Sequence, residues 1–147
     1  MHRNIRRISI LLAGIGLVDS LYLTWVKFSG QYALCGPLGD CQSVNSSPYA
    51  EFFGIPIALI GAISYLIMIG LLLTEDRGKF WTEYNPILMF GLTLSAVIYS
   101  IYLTYLEIAV LRAVCPYCVL SAAILVVLLV LSSLRLWRGS VDPSLVL

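Results

Sequence analysis

The stretch V-C-P-Y-C-V-L-S-A-A-I-L-V-V-L-L-V-L (residues 114–131) decides how the rest of the chain is interpreted. It joins a C-x-x-C pair, Cys115 and Cys118, to an apolar run long enough to cross a bilayer, for which about 20 residues are needed. Pro116 suits the first turn of a helix, because its missing N–H would have no helical partner there. The stretch therefore predicts a thiol pair at the entrance of a membrane-spanning helix.

The composition of the whole chain agrees with a membrane environment. Of the 147 residues, 60% are hydrophobic and 12% are charged, whereas soluble domains have roughly 45–50% apolar and 25% charged residues. Unsatisfied backbone groups cannot face lipid, so apolar runs of bilayer length are predicted to be α-helices. The sequence predicts an all-α integral membrane protein, a four-transmembrane-helix bundle forming one domain over residues 1–147, with helices at about 8–28, 53–73, 86–106 and 119–137.

Lysine and arginine are distributed unevenly between the two sides of the predicted bundle. Seven lie beside the termini or between the second and third helices: Arg3, Arg6, Arg7, Arg77, Lys79, Arg135 and Arg138. Two, Lys27 and Arg112, lie on the other side. Because cytoplasmic segments are enriched in these residues, both termini are predicted to be cytoplasmic. The segments 29–52 and 107–118, which carry all four cysteines, then face outward. The net charge of +1 indicates no nucleic-acid partner.

The four cysteines form two pairs. Cys35 and Cys41 lie in the turn-rich segment C-G-P-L-G-D-C, and Cys115 and Cys118 open the last helix. Structural disulfides are one interpretation, since disulfides persist outside the cytoplasm. A four-cysteine zinc site is another, but the step from Cys35 to Cys41 is wider than usual, and no metal site is predicted. The third is redox chemistry, because a helix N-terminus stabilises thiolate over thiol, and Cys118 in the first turn is the predicted low-pKa sulfur.

Similar sequences precede the two cysteine pairs. S-L-Y-L-T-W begins at Ser20 and S-I-Y-L-T-Y at Ser100, 80 residues later, and each is followed at the same distance by a cysteine. A parallel repeat of two helix pairs is one explanation, and chance similarity between apolar helices is the other. If the repeat is real, Cys41 and Cys115 are placed to meet for disulfide exchange.

In these motifs the sequence resembles the vitamin K epoxide reductase (VKOR) family in its stand-alone prokaryotic form. The resemblance rests on S-L-Y-L-T-W-V-K, on the segment from Cys35 to Pro56 with its Ser-Ser, and on S-I-Y-L-T-Y-L-E followed by C-P-Y-C. It implies a monomeric bundle around a quinone (ubiquinone or menaquinone) in the plasma (inner) membrane, in contact with membrane lipid. The loop after the first helix would cover the site on the outer face, and no fused thioredoxin-like domain is expected.

The resemblance also implies roles for individual residues. Cys115 and Cys118 would be the active centre, with Cys118 facing the quinone. Cys41 would pass electrons to Cys115, and Cys35 would meet an extracytoplasmic thioredoxin-fold protein. The hydroxyl of Ser47 would bind a quinone oxygen, unless it is satisfied within the loop or as a helix cap. The implied function is a quinone-dependent thiol oxidoreductase that supports disulfide formation in exported proteins.

Several further residues have two interpretations each. Asp19, inside the first helix, either is a functional residue that faces the bundle interior or, as we prefer, forms a hydrogen bond with a neighbouring Ser or Tyr. The charged residues near the outer surface are either solvated or supply protons to the reduced quinone: Glu51, Glu107 and Arg112. Tyrosines in the helices either line a quinone pocket or, more simply, pack between helices: Tyr22, Tyr65, Tyr99 and Tyr102.

Two other classes of protein stay open. A non-catalytic tetraspan scaffold with structural disulfides would keep its cysteines oxidised in mild reductant. A small transporter would be expected to carry paired intramembrane charges or broken helices, for which Asp19 alone is weak support.

Overall fold

The computed structural model describes residues 2–37 and 39–141, which form a bundle of four long helices. These helices are α1 (His2–Ser29), α3 (Ile57–Thr74), α4 (Lys79–Tyr105) and α5 (Pro116–Val141). A short helix, α2 (Cys41–Asn45), lies in the loop between α1 and α3. All four long helices are long and apolar enough to cross a membrane, so the predicted number and type of spanning elements are confirmed.

Three of the helices extend beyond the predicted boundaries. α1 begins at His2 instead of Ile8, and α5 continues to Val141. α4 begins at Lys79, so Pro86, the predicted start of the third helix, lies inside it. Hydropathy marks only the part of a helix that lies in lipid, whereas the backbone remains helical through polar residues at the membrane surface.

The predicted start of the second membrane helix at Phe53 is wrong. Glu51–Phe52 (β1) and Ile55–Pro56 (β2) form a small antiparallel hairpin, so the fold is not purely α-helical. At its tip Phe53 and Gly54 have φ values of +52° and +79°, a left-handed conformation that no α-helix contains. The helix therefore begins only after the hairpin, at Ile57.

Close packing around α1 holds the bundle together. α1 packs most extensively against α3, and α4 packs against α5. Lipid offers no hydrophobic drive for helix association, so membrane helices depend on small residues that allow close approach. A Cβ at Gly16 would overlap the ring of Tyr65, and one at Gly61 would lie 3.2 Å from Oγ of Ser20. Glycine at position 16 thus lets Tyr65 of α3 cross α1 and reach α5.

Charged and polar side chains tie the helices together at the end opposite the cysteines. The buried Arg135 of α5 pairs with Glu75, which directly follows α3, and Arg6 of α1 pairs with Asp76. The amide of Asn85 donates to the carbonyl of Leu71. These contacts fix this end of the bundle, and the cavity described below opens in the other half.

Candidate redox site

All four cysteines lie at the same end of the bundle. Cys35 and Cys41, the outer pair, form a disulfide with Cα atoms 6.0 Å apart. Cys115 and Cys118, the inner pair, are free thiols. The Sγ atoms of Cys35, Cys41 and Cys115 lie within 4.8 Å of one another, and Cys41 and Cys115 are each 1% exposed. The expected proximity of Cys41 and Cys115 is therefore confirmed, at a spacing suited to disulfide exchange.

Hydrogen bonds beside each of the two outer cysteines hold their loop against the start of α5. The N–H of Asp40 donates to the carbonyl of Val114 at 3.1 Å. The hydroxyl of Tyr117 donates to the carbonyl of Leu34 at 2.8 Å, and the N–H of Leu34 donates to the hydroxyl of Tyr22 at 3.1 Å. The rings of Tyr22 and Tyr117 also contact each other, with centroids 5.3 Å apart. The loop is docked over the inner pair.

Asp40 fixes the position of Cys41, the first residue of α2. Its carboxylate accepts the N–H of Ser43 at 3.0 Å and the hydroxyl of Ser43 at 2.6 Å, as an N-capping aspartate does. The hydrogen bonds from the Ser43 side chain and backbone lower the pKa of Asp40. The cap therefore favours the charged form and orders the turn that carries Cys41.

Gly39 is the point at which the loop passes closest to α5. A Cβ at position 39 would lie 2.5 Å from Cδ of Pro116, whose ring is fixed in the backbone. We expect Gly39→Ala to lift the loop and slow exchange between the two pairs roughly tenfold, because small displacements of reacting groups are costly. The rate is measured by quenching and alkylating free thiols. Gly14→Ala is the control, since a Cβ there meets nothing within 4 Å; equal rates in both variants would contradict the docking.

Cys115 is the more strongly stabilised sulfur of the inner pair. It occupies the N-cap position of α5, where its carbonyl accepts the N–H of Val119 at 3.1 Å. A hydrogen bond from the thiol of Cys118 lowers the pKa of Cys115, burial opposes this, and the N–H groups of Cys118 and Tyr117 lower it further. The helix dipole alone predicts the stabilised thiolate at Cys118, whereas the hydrogen bonds described here stabilise it at Cys115.

A buried carboxyl group faces the inner pair. Glu107 is 4% exposed, so its interpretation as a solvated charge is wrong. It lies in a π-helical turn, Leu106–Leu111, that extends α4 and ends at Arg112, where φ is +50° and the chain reverses. The N–H of Cys115 then donates to Oε2 of Glu107 at 3.2 Å, and the thiol of Cys118 is within hydrogen-bonding reach of the same carboxyl group. π-Helical turns next to an α-helix are frequent at functional sites.

The other charged residues near this end behave as ordinary surface charges. Glu51 is exposed and pairs with Lys27, with Nζ and Oε1 3.1 Å apart. Arg112 is also exposed. For these two residues the interpretation as solvated charge is the one that the structure favours.

A largely apolar cavity of about 190 Å³ lies between the four long helices, beneath the docked loop. Both inner cysteines line it. The polar side chains that border it come from the loop and from the long helices, and they include Asp19, Asn45, Ser47, Tyr65, Tyr99 and Glu107. Tyr65 and Tyr99 thus border the cavity, and Asn45 is a lining residue that the sequence did not single out. A cavity with these properties is of the kind that binds small apolar ligands.

Ser47 is buried at the edge of this cavity. Its hydroxyl donates to the carbonyl of Val44 at 2.8 Å and makes no capping hydrogen bond. A serine has one O–H to donate, so in this state Ser47 has only acceptor capacity left for a ligand. Its contact with a quinone oxygen stays a prediction, and donation to that oxygen requires the hydroxyl to leave Val44.

Asp19 is 7% exposed and also borders the cavity. Neither carboxyl oxygen has a hydrogen-bond partner among the residues that the structure describes. The preferred interpretation, a hydrogen bond to a neighbouring Ser or Tyr, is wrong. The hydroxyl of Tyr65 lies 2.8 Å from Oγ of Ser121 on α5 and is engaged there. The sequence identifies Asp19 as an unusual intramembrane acid. It does not show that the Tyr65 side chain turns to Ser121 and leaves Asp19 without a partner.

The four long helices enclose a cavity lined by two thiols, and a disulfide lies above these thiols. This arrangement defines a membrane protein with a thiol–disulfide centre. The model of the vitamin K epoxide reductase family matches residues 7–133, and the chain belongs to this family. The chain is also 31% identical over 113 residues to thiol-disulfide oxidoreductase LTO1 of Arabidopsis thaliana. That match covers 72% of this chain and 30% of the Arabidopsis protein, so the chain spans less than a third of its relative's length.

Proposed function

We propose that this protein is a quinone-dependent thiol oxidoreductase. It takes electrons from a reduced extracytoplasmic thioredoxin-fold protein, passes them from the outer to the inner pair and on to ubiquinone or menaquinone, and so supports disulfide formation in exported proteins. The observation that carries this proposal is the free Cys115 thiol within 4.8 Å of both outer-pair sulfurs, beside a cavity. A purely structural disulfide needs no such neighbour. The activity in the name of the Arabidopsis relative supports the same class.

Exchange between the pairs proceeds in two balanced steps. The thiolate of Cys41 attacks Sγ of Cys115 in the oxidised inner pair, the Cys115–Cys118 bond breaks, and Cys118 leaves as a thiolate. Cys35 then attacks Cys41 in the mixed disulfide and releases Cys115. The lowered pKa of Cys115 makes it a good leaving group in this second step. An outer disulfide above an inner dithiol, the redox state of the structure, is the product expected after both steps.

The cavity fits a quinone head group, since its lining is apolar, both inner cysteines border it, and Asp19 offers a carboxyl group without a protein partner. When bound, the quinone supplies the acceptor for two electrons and two protons. Cys115 and Cys118 give up the two electrons as they join in a disulfide. Glu107 accepts the proton of the Cys118 thiol and holds the N–H of Cys115 in place.

The orientation of the protein follows from its charges. We place both termini in the cytoplasm and the cysteine end on the outer face of the plasma (inner) membrane. The reason is that seven of the nine lysines and arginines lie at the end that carries the termini, and two lie at the cysteine end. On that outer face Cys35 is partly exposed, whereas Cys41 is buried. A thiol from outside therefore reaches Cys35 first, and exposed Tyr32 and Leu34 beside it offer apolar contacts to the partner.

The test is the anaerobic reaction of the fully reduced protein with quinone, without any further supply of electrons. Protein in detergent is fully reduced, freed of reductant and mixed with a soluble ubiquinone or menaquinone analogue, and quinol formation is followed optically. Four thiols yield two quinols per chain, with all four cysteines oxidised at the end. An unreduced quinone beside four persisting thiols would contradict the proposal. Cysteines that resist mild reductant throughout would favour the tetraspan scaffold instead.

A further inference from the structure

Asp19 is a carboxyl group without a partner, deep in a membrane-spanning helix. It lies ten residues before Ser29, where α1 ends. Because an α-helix rises about 1.5 Å per residue, Asp19 is about 15 Å from that end. Neither oxygen has a hydrogen-bond donor among the described residues. A carboxyl group in lipid surroundings is costly and as a rule faces a functional cavity. Its position in this cavity calls for a partner from outside the chain.

The groups around Asp19 do not supply that partner. The hydroxyl of Tyr65 is engaged with Ser121, at 2.8 Å from its Oγ. The ion pairs found in residues 2–37 and 39–141 lie at the two ends of the bundle and leave Asp19 out: Arg6 with Asp76, Lys27 with Glu51 and Arg135 with Glu75. Asp19 is nevertheless one of the residues that line the cavity.

The cavity carries two buried carboxyl groups at different depths. Glu107 lies at the outer end, where the N–H of Cys115 donates to it at 3.2 Å. Asp19 lines the same cavity from α1. A para-quinone has two carbonyl oxygens on opposite sides of its ring, and each gains one proton when the quinol forms. Two acids that line one cavity can serve one oxygen each.

We propose that Asp19, in its protonated form, donates a hydrogen bond to the quinone carbonyl oxygen that Glu107 does not serve and transfers its proton to that oxygen during reduction. This inference rests on the proposed function. The two electrons come from Cys115 and Cys118 as they form a disulfide. One proton comes from Asp19 and the other from Cys118 through Glu107. Asp19 then regains a proton from the outer aqueous side, where Cys115 has released its own.

Three variants separate binding from proton transfer. Asp19→Asn keeps a hydrogen-bond donor but has no acidic proton, Asp19→Ala has neither, and Ser9→Ala changes a buried residue of α1 outside the cavity lining. We expect Asp19→Ala to weaken binding of a ubiquinone analogue to the oxidised protein about tenfold, measured without turnover. Asp19→Asn should bind within about twofold of wild type but form quinol roughly a hundredfold more slowly in a single turnover. Ser9→Ala should match wild type in both.

A spectroscopic measurement on the wild-type protein avoids any effect of a variant on folding. With isotope-labelled aspartate, the carboxylic-acid stretch of Asp19 should shift when the quinone analogue binds, and this band should be missing in Asp19→Asn. An aspartate spectrum insensitive to the quinone, or binding and rates in both Asp19 variants equal to those of Ser9→Ala, would overturn the inference. A wild-type protein that neither binds nor reduces quinone would instead overturn the proposed function.

Discussion

Replacing Cys118 with serine is expected to abolish quinone reduction, with a loss of roughly a thousandfold or more, as removal of a reacting nucleophile generally causes. Without Cys118 the inner pair cannot close to a disulfide, so its two electrons have no way to leave together. The loss should be the same whether a protein partner or a small dithiol such as dithiothreitol supplies the electrons. Quinol formation under anaerobic conditions measures it directly.

Cys35→Ser is the matched variant, because it makes the same chemical change in the outer pair. Cys35 is partly exposed and is not among the residues that line the cavity. We expect this variant to lose reduction driven by a thioredoxin-fold partner but to keep most of the reduction driven by a small dithiol, which can release Cys115 from Cys41. Equal losses in the two variants with the small dithiol would contradict the order of the two pairs.

Replacing Glu107 with glutamine is expected to slow quinol formation roughly a hundredfold, the usual contribution of a general base. Glutamine still offers an oxygen to the N–H of Cys115, which donates to Glu107 at 3.2 Å, but it cannot take the proton of Cys118. Glu107→Ala removes both contacts and should also disturb exchange with Cys41. Single-turnover quinol formation and thiol exchange, measured separately, distinguish the two effects.

Glu51→Gln is the control for this comparison. Glu51 is an acid at the same end of the bundle, but it is exposed and paired with Lys27. Its replacement should leave both rates within about twofold of wild type, as expected for an exposed ion pair. If Glu107→Gln reacts as fast as Glu51→Gln, the carboxyl group only positions Cys115 and is no proton acceptor.

Much of this arrangement is predictable from the sequence because lipid restricts what a chain can do. Apolar length and the requirement for backbone hydrogen bonding predict the four helices, and the C-x-x-C pair predicts thiols at the entrance of the last one. The hairpin at Glu51–Pro56 was missed, since its aromatic residues continue the apolar run of α3 without a break. Hydropathy records which residues are apolar and gives no information on the backbone turn at Phe53 and Gly54.

The errors at the site have a similar origin. Glu107 lies just beyond the predicted end of the third helix, so it looked solvated; the π-helical turn extends that helix and returns the side chain to the interior. Cys118 was expected to be the stabilised thiolate from the helix dipole alone. The decisive contacts are short-range hydrogen bonds from Cys118 and two backbone N–H groups to Cys115, and these depend on N-cap geometry. Asp19 was noticed as an intramembrane acid, but its lack of a partner is a property of the packed bundle.

The most direct test of electron transfer between the two pairs is disulfide mapping of the double variant Cys35→Ser/Cys118→Ser. This chain retains only Cys41 and Cys115, whose Sγ atoms lie within 4.8 Å of each other. Mild oxidation should convert most of the protein to an intramolecular Cys41–Cys115 disulfide, identified by mass spectrometry of unreduced peptides. The companion variant Cys35→Ser/Cys115→Ser, which retains Cys41 and Cys118, should stay largely unlinked. Free thiols at Cys41 and Cys115 after the same treatment would contradict transfer through these two sulfurs.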